Sequence, residues 1–462
     1  MHNDEEKKLK QLIAQTLGIN GNFITDDLSY QDIPEWDSLR HVNLMLALEK
    51  NYACEINEEA VLNLATIKKI KEFILNNIGI AAKSIELSEK QIHRGLRDVF
   101  YDKTEISLIN GEKGKLSYCG YDITDLCKYS TFEECTYLLL YKKLPTREEL
   151  TTFEKILISK RKLNLAFIDF IASMEAMHPT EMLRTMISAF PNFYKKDSNA
   201  LYETDIALEL IAKIPTIITT HNAIRNKTKI LEPEDNLTHA QNFIYMLTGK
   251  IPSVEESRVV DQDLILHAEH GSNASTFTAR IVTGAEGDIF AAITAAISAF
   301  SGRLHGGALE EVMLMLKEIN TPQRAVSYVT ERIMAGKPIF GYGHSVYRKA
   351  DPRALEMQEI AKKLSIEKKN IRWLEILENI SSAMKQHTKY GVNVNVDFYA
   401  AVIYELLAIP QDMFVAVFIM SRISGWIAHI HEQKKNNILI RPSLKYTGLN
   451  DWLYIDINHR YN

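Results

Sequence analysis

Only 20 glycines and 12 prolines punctuate the 462 residues, too few for the turn-dense pattern of an all-β chain. Four cysteines, Cys54, Cys119, Cys127 and Cys135, show no paired CxxC spacing, so neither a zinc site nor a disulfide framework is expected. Positive charge is also short. The 54 Lys and Arg stand against 59 Asp and Glu, a formal net charge of -5, which leaves no field to collect a phosphate backbone and excludes nucleic acid as a partner. Apolar runs such as Ile289 to Phe300 reach about a dozen residues, below the roughly 20 that cross a bilayer, so no membrane span is expected. The opening MHNDEEKKLKQLIAQ has no apolar core of a secretory signal and is acidic where a transit peptide is not. The expected location is cytoplasmic.

What the chain does contain is helical periodicity. In TFEECTYLLLYKKL the apolar Phe132, Cys135, Leu138 and Leu139 recur at helical spacing. Strand-like alternation is confined to 105–109, 114–118 and 453–457, so the fold class is all-α. With 46% hydrophobic and 24% charged residues the composition is that of a soluble globular protein, and the length favours more than one folding unit. The stretch AAKSIELSEKQIHRG is polar and rich in small residues. It divides the chain into a small helical bundle at 1–78, a linker at 79–95 and a larger helical domain at 96–462.

In IPEWDSLRHVNLMLALEKNYACEI, Asp37 and Ser38 stand just before a helix whose Leu39, Val42, Met45 and Leu46 share one face. The ordinary reading is that one of them caps the helix. The functional reading is that Ser38 carries a phosphopantetheine whose phosphodiester rests against the helix N-terminus. The whole segment from about Leu9 to Ile74 resembles a small acyl carrier protein, with Asp37, Ser38 and Leu39 as its attachment motif. That resemblance implies 4'-phosphopantetheine on Ser38 and a phosphopantetheinyl transferase as a partner. Arg40 and His41 depart from the more acidic recognition helix of many carriers. An unmodified docking or oligomerisation module is the alternative.

In the large domain His270, His305, His344 and Asp397 stand in glycine-rich or helix-edge contexts, where backbone approaches a ligand closely. His305, in GRLHGGALEEV, precedes a helix N-terminus that favours the neutral imidazole. His344, in GYGHSVYRKADPR, has Arg348, Lys349 and Arg353 nearby, a set suited to an anionic substrate. Asp397, in VNVDFYAAVIYELL, reads either as a helix cap or as a base. His267 and His270 lie i to i+3, but without HExxH or a third ligand no metal is expected.

Together the segments GEKGKLSYCGYDI, LILHAEHGSNASTFTAR, GRLHGGALEEV, GYGHSVYRKADPRA, NVDFYAAVIYELLAIP, SRISGWIAHIHEQ and IRPSLKYTG resemble citrate synthases from about Gly95 to Tyr461. The resemblance implies an all-α fold of large and small subdomains, the small one at about 308–408. It implies His305, His344 and Asp397 as catalytic residues, and His270, Arg353, Arg422 and Arg441 as oxaloacetate ligands. Arg348 and Lys349 would meet coenzyme A phosphates. The expected reaction condenses an acyl thioester, on coenzyme A or on the carrier, with oxaloacetate and hydrolyses the product to citrate or an alkylcitrate. A homodimer or higher oligomer is expected, with Arg441 donated across the interface. The alternatives are a 2-methylcitrate synthase and a non-catalytic thioester-binding scaffold. Departures from the family pattern are Arg303 for proline, Glu269 for aspartate, Leu309 for asparagine, and Ser345, where many bacterial relatives carry arginine.

Overall fold

The computed structural model describes residues 2–52, 54, 56–77, 92–96, 99–193, 200–344, 346–388, 390–448 and 453–460. Most of the expected linker 79–95, and Ser345, lie outside the described residues.

The first unit is a bundle of helices His2–Leu17, Ser38–Tyr52, Glu58–Asn63 and Ile67–Asn77. Its apolar faces enclose Leu9, Ile13, Leu17, Trp36, Val42, Met45, Leu48, Ile67 and Ile70, all buried. Trp36 has no exposed surface, and its indole N–H donates to His41 Nδ1 at 3.1 Å. The imidazole proton is therefore on Nε2, which donates to the Val61 carbonyl at 3.2 Å. His41 is thus a core residue of the bundle, and of the Arg40–His41 pair only Arg40 can modify the recognition surface.

The second unit begins with a three-stranded antiparallel sheet, Ser107–Asn110, Lys115–Tyr118 and Tyr121–Asp122, in that order. The expected alternation at 453–457 forms no strand; 453–456 is irregular and exposed, and among the described residues no strand lies beside it to complete a ladder. Helices then dominate, several opened by capping boxes such as Thr146 with Glu149 and Ser253 with Glu256. At the centre lies Phe414–Lys435, packed by Phe132–Tyr141, Ala200–Arg225, Val254–His267, Ala274–Gly284 and Ile289–Phe300. This helix is longer and more apolar than the runs expected from the sequence, long enough to cross a bilayer, yet its apolar window is entirely buried within the protein. It is hydrophobic all round because protein surrounds it.

Helices Ala308–Ile319, Ala325–Met334, Pro352–Glu367, Arg372–Thr388 and Asp397–Leu406 pack on one another as a second layer. Between these helices run the loops 268–273, 302–307, 335–351 and 391–396, which carry His270, His305, His344, Arg348 and Lys349 and lead into Arg353 and Asp397 at the starts of their helices.

Candidate active site

Loop 335–351 is braced from two sides. The turn of the β-hairpin approaches so closely that a Cβ on Gly111 would stand 2.1 Å from the Val346 carbonyl oxygen, so only glycine fits there. Arg348 N–H donates to the Gly111 carbonyl at 3.2 Å. On the other side Tyr342 bridges Val394, Gly343 N–H donates to the Asn393 carbonyl at 2.9 Å, and Asn395 Nδ2 donates to the Gly343 carbonyl at 3.2 Å. The loops bearing His344 and Asp397 are thereby tied together.

The N–H groups of Val346 and Tyr347 both donate to His344 Nδ1, at 3.0 and 3.1 Å. An imidazole that accepts at Nδ1 carries its proton on Nε2. Burial lowers His344 to about 4, with Arg353 and Arg348 adding to the effect against Asp351. A neutral ring with an Nε2–H donor results. His270 packs edge-on to it, ring centres 5.2 Å apart, and is hydrogen-bonded through Nε2 to Tyr347 Oη at 3.1 Å. Burial, then the charge of Arg353, holds His270 well below the ordinary range.

Two guanidinium groups are buried beside these rings. Arg353 is held by Asp351, with Nε to Oδ1 at 3.1 Å and Nη2 to Oδ2 at 2.7 Å. Despite its burial, the Asp351 carboxylate raises it above its usual value. Arg422 donates through Nε to the His267 carbonyl at 2.6 Å and lies over the Phe418 ring. Burial lowers it to about 10, with Glu269 opposing. His270, His344 and Asp351 offer donor atoms within 4.8 Å of one another, but Arg353 occupies both Asp351 oxygens, so the trio has no free carboxylate for a cation.

His305 sits three residues before the helix Ala308–Ile319, against Phe300 at 4.7 Å between ring centres. Its Nε2 lies 2.9 Å from Ser275 Oγ and 3.2 Å from Asn273 Oδ1. It is lowered to about 4, first by burial and then by Arg422, whereas the sequence points to the helix terminus.

Asp397 is the first residue of Asp397–Leu406, whose N-cap is Val396 and which has no side-chain cap. The capping alternative fails because Asn395 Oδ1 instead accepts the Asp397 N–H at 3.1 Å, leaving the Asp397 carboxyl for other work. Burial pushes that carboxyl up to about 6, against the pull of His267, Arg353 and Arg422. The Arg422 charge acts on His270, His305 and Asp397 alike, so these groups share one electrostatic environment.

Arg441 stands apart as an exposed residue of the irregular segment after the core helix. Arg348 is half-buried and Lys349 exposed at the rim. In the small bundle Asp37 Oδ1 accepts the Arg40 N–H at 2.8 Å, so Asp37 is the helix cap, and the Ser38 hydroxyl is bonded to Tyr30 Oη at 2.5 Å. Sequence reasoning missed Tyr347, Asn273, Ser275 and Asp351, which orient the named residues, and His429, whose Nε2 lies 3.0 Å from buried Glu269. Asp351 was accessible through its N-cap position before Pro352; nothing local marks the others.

The fold and site define a helical enzyme that places a carboxyl, neutral imidazoles and buried guanidinium groups in one electrostatic environment, preceded in the chain by a four-helix bundle. Residues 95–443 match the family described as citrate synthase, C-terminal domain, and residues 7–74 the phosphopantetheine attachment site. The chain is 37% identical to a citrate synthase of Deinococcus radiodurans over 80% of its own length and 99% of the relative's. It is 35% identical to 2-methylcitrate synthase 1 of Corynebacterium glutamicum, over 81% and 100%. Citrate synthase from Thermoplasma acidophilum, solved as a ternary complex with carboxymethyl coenzyme A and oxaloacetate, superimposes with a TM-score of 0.76 at 29% identity, covering 80% of this chain and all of that one. The chain belongs to the citrate synthase family and carries an N-terminal phosphopantetheine attachment domain. It is an acyltransferase of the type that condenses acyl-coenzyme A with oxaloacetate.

Proposed function

We propose that Asp397 removes the α-proton of the thioester, that His305 supports the enol oxygen, and that His344 delivers the proton to the oxo acid's ketone oxygen. As the enol carbon attacks the ketone carbon, the His344 Nε2 proton passes to the new alkoxide, and water then cleaves the thioester to a free acid and a thiol. The observation that carries this reading is the pairing of a carboxyl raised to about 6 with a neutral Nε2–H imidazole held by two backbone donors. Arg353, Arg422 and His270 supply the charge and donors that two carboxylates require. Arg441 completes the set from the other protomer of a homodimer, and Arg348 and Lys349 meet coenzyme A phosphates. The layer 308–408 is the small subdomain that closes over the substrates, and the protein works in the cytoplasm.

Because His305 and His344 fall to about 4, neither titrates between pH 5 and 8. The base is competent only when deprotonated, and its raised value puts that transition near neutrality. We therefore expect kcat/KM for the thioester to fall tenfold per pH unit below about pH 6 and to level off above it. A profile flat down to pH 5 would remove Asp397 from the role.

The acyl group also reaches the site from the chain's own carrier, loaded on the Ser38 arm; an acetyl group gives citrate and a propionyl group 2-methylcitrate. A relative named 2-methylcitrate synthase supports the second product. The test loads modified Ser38 with acetyl or propionyl, adds oxaloacetate without free coenzyme A, and follows Ser38 by mass spectrometry. Loss of the acyl mass in wild type but not in Asp397→Asn is the expected result; persistence in wild type rejects direct delivery.

A further inference from the structure

The attachment serine sits against the synthase. Ser38 Cβ and Oγ each lie 3.6 Å from where a Cβ would stand on Gly343, the residue before His344. Arg40 covers Gly336, where a Cβ would meet its Nε at 2.9 Å. At the far end of the same helix the Tyr390 hydroxyl donates to Glu49 Oε2 at 3.1 Å. Between these contacts Asp37, Ser38 and Leu39 face Pro338, Ile339, Tyr342, Met384 and Val392 across a cavity of about 110 Å³.

That space is too small for the arm. A ligand the size of phosphopantetheine occupies a pocket of roughly 300 Å³ or more, and the Ser38 hydroxyl is already bonded to Tyr30. The covered Gly343, Tyr342 and Val392 belong to the two bridged segments, 341–344 and 392–397, that lead to His344 and Asp397. The covered segment therefore runs directly into the two residues proposed to act on the thioester.

We propose that the unmodified carrier domain docks on its own synthase as a plug: through Ser38, Arg40 and Glu49 it covers the 336–343 face and Tyr390, which hides Ser38 from the transferase and closes the thioester route, and attachment of the arm lifts it off. This rests on the reading that His344 and Asp397 form the condensing site. Burial also raises the Asp37 carboxyl at the start of this helix.

The test follows hydrogen exchange of segment 336–343 in the full-length chain, before and after modification of Ser38 by a phosphopantetheinyl transferase with coenzyme A. Exchange is expected to rise at least threefold on modification. Tyr390→Phe, which leaves the carrier unaltered, and Glu49→Lys should raise it in the unmodified chain, and Tyr390→Phe should speed Ser38 modification at least threefold. Ser38→Ala, incubated with the transferase, should keep the slow exchange. Equal exchange before and after modification, or a modification rate untouched by Tyr390→Phe, overturns the plug. Slow exchange relieved by modification in a chain that turns over no thioester upholds the docking and rejects the condensing function instead.

Discussion

Asp397→Asn is expected to lower kcat by 10² to 10⁴, about 2.7 to 5.5 kcal/mol of transition-state stabilisation, while leaving oxaloacetate binding within about twofold. The substitution keeps the shape and removes only the basicity, and Asn395 Oδ1 accepts the Asp397 N–H independently of the Asp397 side chain. On the proposed reading oxaloacetate affinity rests on Arg353, Arg422 and His270, whose hydrogen-bond partners do not include the Asp397 carboxyl. Stopped assays with acetyl-coenzyme A and calorimetry with oxaloacetate separate the two effects. A variant that keeps more than about a tenth of the rate, a loss under 1.4 kcal/mol, would show that another group abstracts the proton.

Arg353→Leu is expected to weaken oxaloacetate binding by more than a hundredfold and also to destabilise the fold by about 3 to 5 kcal/mol, because the buried Asp351 is left unpaired. The double variant Asp351→Asn with Arg353→Leu should recover much of that stability, since no uncompensated charge remains, but none of the affinity. Urea denaturation reads the first quantity and calorimetry the second. Recovery of oxaloacetate binding in the double variant would mean that Arg353 only supports the fold. Acyl thioester affinity should change little in either protein.

The helix starting at Ser38 was legible because its apolar face and its cap are local in sequence, although which of Asp37 and Ser38 caps it was not. The same holds for the loop histidines and for Asp397 at a helix start. The resemblance also named Arg441, which is exposed in the single chain. The strand expected at 453–457 failed because alternation states only that a segment can pair, and pairing needs a neighbour.

Local pattern and composition were enough for the helical class and for the expectation of a small and a larger helical unit, while the carrier and the oxaloacetate set came from the resemblances. The first two follow from periodicity and side-chain chemistry, which each segment carries alone. Other properties depend on groups distant in sequence. The neutrality of His344 comes from burial and from Arg353 and Arg348, and the raised carboxyl of Asp397 from burial set against His267, Arg353 and Arg422. The clamp on Arg353 needs both Asp351 oxygens turned inward, and Ser38 meets Gly343 across some three hundred intervening positions. Desolvation and charge act through space, so only the folded chain decides them.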